Sequence, residues 1–160
     1  MRKHAVKQSV EHNEMNVALQ ALRKSIARWT DKPDRIMTAV PGLSLFRRDE
    51  PTQPTSAMYE PSICLTTQGA KRVLLGDDTY VYDQHHFLIT SVDLPTVVQI
   101  LKASREKPFL GLILKLDQRE ISQLMVDSNL PPPRPQQSSR GMATGEVTLP
   151  LLTAFQRLID

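Results

Sequence analysis

The chain has 160 residues, of which 40% are apolar and 23% are charged; its net charge of +3 is too small to indicate nucleic-acid binding. This length and composition suit one globular domain with a sizeable core, and the single cysteine, Cys64, excludes an internal disulfide. No apolar signal segment and no run of roughly 18 apolar residues is present, so we expect a cytoplasmic protein without a membrane partner.

Residues 1–40 are predicted to form an N-terminal helical arm. Apolar residues recur there at alternating spacings of four and three, which places them on one helical stripe: Met15, Leu19, Leu22, Ile26 and Trp29. A proline-containing turn at 31–33 ends the helix. The stripe has two interpretations, since it suits either a helix docked on its own domain or a dimer contact through Leu22, Ile26 and Trp29.

Residues 41–117 change to a strand pattern. Short apolar runs are separated by turn residues, and Gly76 begins a tight hairpin turn because glycine accepts a positive φ. About seven strands are predicted, at 43–46, 58–66, 71–75, 79–82, 86–91, 96–102 and 109–116. Because no helices intervene, the pattern favours a sandwich or barrel over a parallel α/β fold.

The strand at 109–116 is apolar on both faces, so both must be covered. Phe109 and Ile113 occupy one face, and the other carries Leu110, Leu112, Leu114 and Leu116. We expect the barrel interior on one side and a helix on the other. The helix predicted for this role begins after the N-cap Asp117, with Glu120 completing a capping box, and its apolar residues are Ile121, Leu124 and Met125.

Residues 118–160 are predicted to be C-terminal helices joined by a polar loop at 131–145. The last helix begins near Thr148 and carries Leu152 and Phe155 on its apolar side. It reaches Asp160 without a Gly or Asn cap, which indicates a chain truncated before further structure.

An ordered set of short segments resembles one known family. The segments are PSICL at 61–65, QGAKRV at 68–73, GD at 76–77, YD at 82–83 and SVDLP at 91–95. Together they resemble the N-terminal, effector-sensing domain of AraC-type bacterial transcription regulators. Weaker similarity continues from Ala103 to the end of the chain, and the whole resemblance covers roughly residues 40–160. None of the segments is specific alone; their order carries the resemblance.

The resemblance implies a mainly β fold, a cupin-like jelly-roll (double-stranded β-helix) barrel over 41–117 with an N-terminal helix and C-terminal helices. It implies a small-molecule effector inside the barrel, no cofactor, and DNA binding only through a helix-turn-helix domain absent from this sequence. It also implies a homodimer, with C-terminal contacts expected at Ile121, Leu124, Leu152 and Phe155.

Four residues are candidate effector contacts: Cys64, His85, His86 and Tyr59. Adjacent histidines on a strand point to opposite faces, so one suits the surface and the other either a hydrogen-bonded core position or the cavity. They cannot grip one ion together, and no glutamate or histidine follows at ligand spacing, so we predict no metal and no catalytic residue. Cys64 suits an inert core position, or a sensing thiol if Lys71 or Arg72 approaches across strands.

The favoured hypothesis is a ligand-sensing and dimerisation domain that shifts between conformations when its effector binds. The alternative is a cupin-like, metal-dependent enzyme acting on a small carbonyl or sugar compound. A third possibility is an interaction domain whose barrel is filled by side chains and binds nothing.

Overall fold

The computed structural model describes residues 2–130 and 141–160. Its core is a pair of antiparallel sheets that pack face to face, with helices at both ends of the chain. The helices are α1 (Arg2–Trp29), α2 (Gln118–Asp127) and α3 (Leu149–Ile159). This confirms the predicted fold class, mainly β with flanking helices.

Ten strands are present in the described residues. Six form one sheet, in the spatial order β1 (Arg35–Met37), β2 (Leu43–Arg48), β9 (Phe109–Lys115), β4 (Ser62–Gln68), β7 (His86–Thr90) and β10 (Met142–Glu146). Four form the other, in the order β3 (Thr55–Tyr59), β8 (Leu94–Lys102), β5 (Ala70–Leu75) and β6 (Asp78–Tyr82). The hairpin joining β5 to β6 turns at Gly76, whose φ is +56°, as predicted.

The strand predicted at 58–66 is two strands that belong to different sheets. The chain leaves β3 at Tyr59 and enters β4 at Ser62, with Glu60 and Pro61 between them. Pro61 has no backbone N–H to donate to a ladder, which suits a break between strands. This crossing brings Tyr59 and Ser62 to the same region between the sheets.

The apolar core has two parts, one on each face of the six-stranded sheet. On the outer face, Leu110 and Leu112 of β9 pack in one cluster with Leu22 and Ile26 of α1, and α3 adds Leu152, Phe155 and Ile159. Between the sheets, a second cluster contains Tyr59, Cys64, Val73, Leu75, Tyr82, Leu88 and Met142. The alternation predicted for β9 is therefore present, with Leu110 and Leu112 outward.

The helix expected to cover β9 was assigned wrongly. In α2 no residue is buried, whereas α1 and α3 pack on the outer face of β9. The predicted N-cap is correct, because the Asp117 carboxylate accepts the N–H groups of Arg119 and Glu120. Local signals thus begin α2 where predicted, but its apolar stripe has no partner in the described residues.

The polar segment predicted as a loop at 131–145 contains a strand at its end. Met142–Glu146 forms β10 and pairs with β7 along the edge of the six-stranded sheet. Residues 131–140 lie outside the described residues, and the prediction for them stays untested. Two strands of this sheet, β1 and β10, therefore lie outside the predicted barrel segment 41–117. Helices from the predicted segments 1–40 and 118–160 pack in the same core as the sheet. No helix in 2–130 or 141–160 is both long and apolar enough to cross a membrane.

Candidate functional site

A cavity of about 330 Å³ lies between the two sheets. Its wall includes side chains from β2, β3, β4, β5, β8 and β9, so both sheets contribute. The volume falls at the lower end of the range of small-molecule sites. The side chains in its wall include Arg35, Phe46, Arg48, Ala57, Tyr59, Glu60, Ser62, Lys71, Phe109, Ile113 and Lys115.

Strand alternation places these side chains in the cavity. On β9, Phe109 and Ile113 line it while Leu110 and Leu112 face the helices. On β5, Lys71 lies two residues before the inward-facing Val73, and so shares its face. Lys71 therefore lies at an interior position, where the alternation of its strand otherwise places apolar side chains.

Lys71 is the most unusual group in the cavity wall. Burial is the main cause that lowers its pKa; the Cys64 group opposes this, and the positive charge of Arg48 lowers it further. Its Nζ lies 5.3 Å from the centre of the Tyr59 ring, in cation–π contact. No ion pair to Lys71 is present among the residues that the structure describes.

Tyr59 and Cys64, two of the predicted effector contacts, lie in the apolar cluster beside Lys71. Tyr59 lines the cavity, and its buried hydroxyl has no hydrogen-bond partner of normal geometry in the described part of the chain. Burial raises the pKa of the Tyr59 phenol, so the group is neutral near pH 7.

Cys64 is 2% exposed and does not itself line the cavity. Burial raises the pKa of its thiol, although Lys71 acts to lower it. The thiol is therefore protonated near neutral pH, which matches an inert core cysteine rather than a reactive thiolate.

The two histidines are placed away from this cavity. His85 lies in the turn before β7 and His86 at the first position of β7, and both are exposed. They line a separate groove with His12 of α1 and Glu146 of β10. Neither histidine occupies the core or this cavity, because the turn leaves both rings at the surface, and their role as effector contacts stays a prediction. No group of three His, Cys, Asp or Glu side chains within 2–130 and 141–160 is arranged to hold a metal ion.

The residues predicted as dimer contacts divide into two groups. Leu22, Ile26, Leu152 and Phe155 are at most 3% exposed and pack on one another and on the sheet, so they form no surface in the single chain. The docked interpretation of α1 is therefore the one observed. Trp29, Ile121 and Leu124 are 55%, 38% and 60% exposed and stay candidates.

Sequence reasoning missed Arg48 and Lys71 as cavity residues. The signal was present in the alternation of β2, where Ser44, Phe46 and Arg48 share a face opposite Leu43 and Leu45. In each strand a cation shares the face of the inward residues, Arg48 after Phe46 and Lys71 before Val73.

Residues 39–160 match the family model described as the AraC-type transcriptional regulator N-terminus. No curated protein sequence matches the chain.

Among solved structures, an apo ToxT variant from Vibrio cholerae matches with a TM-score of 0.51 and 7% identity, over 74% of this chain and 46% of that one. A second ToxT structure from Vibrio cholerae gives 0.49 and 8%, with the same coverage. Salicylate 1,2-dioxygenase from Pseudoaminobacter salicylatoxidans gives 0.36 and 11%, over 79% of this chain and 34% of that enzyme. The match thus spans less than half of the ToxT chains, and the first similarity shows the fold alone.

Proposed function

Because the chain belongs to the family of AraC-type transcriptional regulators, we propose that these residues form the domain that senses a small-molecule effector and joins two copies of the regulator. The signal passes to a helix-turn-helix domain outside this sequence, which contacts DNA. The family is one of regulators rather than enzymes, and no catalytic role is assigned to any residue here.

The observation that carries this proposal is the cavity between the sheets. A core built only for stability packs at crystal-like density, with few voids larger than a water molecule. A space of about 330 Å³ with polar groups in its wall is large enough for a small metabolite. It also argues against an interaction domain whose barrel is filled by side chains.

Strand β9 offers a short route for the signal. Phe109 and Ile113 face the cavity, and Leu110 and Leu112, one residue away, pack against α1 and α3. A ligand that shifts β9 therefore acts on the packing of both helices. The mechanism is a population shift, in which the effector favours the helix arrangement that suits its bound state.

Blocking the cavity tests effector binding. Ala57 on β3 lines the cavity, and Ala57→Phe adds an aromatic ring inside it. An effector from a metabolite panel is expected to raise the melting temperature of the wild type, since a ligand at 100 times its Kd adds about 2.7 kcal/mol of stability. Ala57→Phe is expected to abolish this rise, as measured by differential scanning fluorimetry.

The matched control is Ser56→Phe, which adds the same ring at an exposed neighbouring position that does not line the cavity. It should keep the wild-type response. A ligand that stabilises Ala57→Phe as strongly as the wild type contradicts the cavity as the effector site.

Helix α2 is the proposed dimer contact. Its apolar residues Ile121, Leu124 and Met125 are 38%, 60% and 42% exposed, and all lie on a helix without a buried residue. An amphipathic helix with an uncovered apolar stripe suits a second copy of itself. Trp29, at the end of α1, is the other exposed candidate.

A charge on α2 is expected to separate the dimer. Leu124→Glu places a carboxylate in the proposed contact, where burying it without a partner is costly, and should give a monomer in light scattering coupled to gel filtration. Thr79→Glu, at an exposed position on β6, should stay dimeric. A dimeric Leu124→Glu, or a monomeric wild type at micromolar concentration, contradicts this interface.

A further inference from the structure

The charges in the cavity wall are unequal. Four cationic side chains line it, Arg35, Arg48, Lys71 and Lys115, against the single carboxylate of Glu60. The Glu60 carboxylate already pairs with Lys115 in a salt bridge. Both residues are exposed at the rim of the cavity. The wall therefore presents three cations for which no carboxylate partner is found in the described residues.

Two of these cations converge in the interior. Arg48 and Lys71 are both half-buried, and Arg48 is close enough for its charge to lower the pKa of Lys71. One Arg48 nitrogen donates to the backbone carbonyl of Arg47 at 2.8 Å, which does not neutralise its charge. Burial and the nearby charge of Arg48 both disfavour the charged form of Lys71, and folding alone gives no reason to bring these two basic groups together.

The groups nearest Lys71 do not supply a negative charge. Burial raises the pKa of the Cys64 thiol and of the Tyr59 and Tyr82 phenols, so all three are neutral near pH 7. Arg35, at the rim, lies 5.3 Å from the Phe46 ring centre and donates to the Ser44 hydroxyl at 3.1 Å. The counter-charge that this site lacks has to come from outside the described chain.

The rest of the wall specifies the body of the ligand. Phe46, Phe109 and Ile113 give the cavity an apolar lining. The Tyr59 hydroxyl lies next to the Tyr82 hydroxyl without a hydrogen bond of normal geometry, and its own proton offers one further donor beside the cations. An apolar body with one anionic group matches this distribution, since convergent polar groups in a mostly apolar pocket fix the orientation of a ligand.

We propose that the effector is an organic anion, a carboxylate-bearing small molecule with an apolar body, whose carboxylate lies between Lys71 and Arg48. This inference rests on the proposed function, because it names the ligand class of the same cavity. The carboxylate separates the two repelling cations and accepts charge-assisted hydrogen bonds from both. The Tyr59 hydroxyl donates to the same group.

The test compares carboxylates with neutral amides of the same skeleton, benzoate with benzamide and hexanoate with hexanamide, by titration calorimetry on the full chain. The wild type is expected to bind the carboxylates at least about tenfold more tightly, the effect of losing one hydrogen bond to a charged group. Lys71→Met should remove this preference while leaving amide binding within about twofold.

The control is Arg72→Met, which removes the neighbouring cation on β5. Arg72 does not line the cavity, and its guanidinium donates to the side chain of Gln99, a neutral residue of the wall, so the carboxylate preference should persist. Lys71→Met is expected to fold, because replacing a buried charge by an apolar side chain is often neutral or stabilising. A raised melting temperature without ligand would report the relief of the repulsion between Lys71 and Arg48.

The outcomes separate this inference from the proposed function. If amides and carboxylates bind equally and Ala57→Phe abolishes both, the cavity is the effector site and the anion inference is overturned. If carboxylates bind equally well to Lys71→Met, the inference is also overturned. If neither series binds and no neutral metabolite stabilises the wild type, both fail together.

Discussion

Replacing Leu22 by alanine is expected to lower the free energy of unfolding by about 2–5 kcal/mol, the usual cost of emptying a fully buried leucine position. Leu22 is 0% exposed and lies in the cluster that joins α1 to the six-stranded sheet and to α3. The loss leaves a cavity in that cluster as well as removing apolar burial. Urea denaturation followed by circular dichroism measures the change.

The control for this substitution is on the same helix. Val17 is 61% exposed, so Val17→Ala removes a similar side chain without opening a cavity, and should change the stability by less than about 0.5 kcal/mol. Equal effects of the two substitutions would show that α1 does not pack on the sheet in solution.

Replacing Gly69 by alanine is the second change with a large expected effect, a loss of several kcal/mol, on the order of 3 or more. Gly69 has a φ of +90°, and an added Cβ would lie 2.5 Å from the Lys102 carbonyl oxygen. The positive φ alone costs about 1–2 kcal/mol for an L-residue. The close backbone oxygen adds to this, because neither strand can move without disturbing its ladder.

Gly42→Ala separates these two causes. Gly42 has a similar φ of +79°, but its added Cβ would lie 3.3 Å from the nearest atom, a side-chain carbon of Lys115. A small shift of the Lys115 side chain relieves that contact, so the loss should be mainly the conformational part, about 1–2 kcal/mol. If the two variants lose equal stability in thermal and urea unfolding, the approach of Lys102 to Gly69 is not as the structure has it.

Elements with strong local signals could be predicted from the sequence. The β5–β6 hairpin follows from Gly76 between two apolar runs, and the start of α2 from the Asp117 cap. The faces of β9 follow from strict alternation of its side chains. In each case the information lies within a few residues, so no knowledge of distant partners is needed.

Strand β10 could not be predicted in this way. Its sequence, Met-Ala-Thr-Gly-Glu, has weak strand propensity, and the strand exists because it pairs with β7. Gly145 shows how the pairing selects its residues, since an added Cβ would lie 2.4 Å from the Phe87 ring. The partner strand supplies the reason for the element, and it lies more than fifty residues earlier in the chain.

The prediction of which helix covers β9 was wrong for a related reason. The apolar stripes of α1 and α2 look alike in sequence, yet α1 is docked and α2 is exposed. Periodicity identifies the apolar face of a helix but does not determine which surface that face packs against. His85 falls in the turn before β7, although β7 begins at His86 as predicted, so the two-face alternation expected for adjacent strand residues does not apply to this pair.

Because α1 packs on the sheet, it affects the choice of fragment boundaries for expression. The family match begins at residue 39, ten residues after α1 ends, so a fragment designed from that boundary would omit the helix. Without α1, the apolar side chains of Leu43, Leu45 and Leu112 would be exposed to water as one continuous patch. Such a patch favours aggregation during purification. Fragments that keep the first thirty residues should be soluble and should not aggregate during purification.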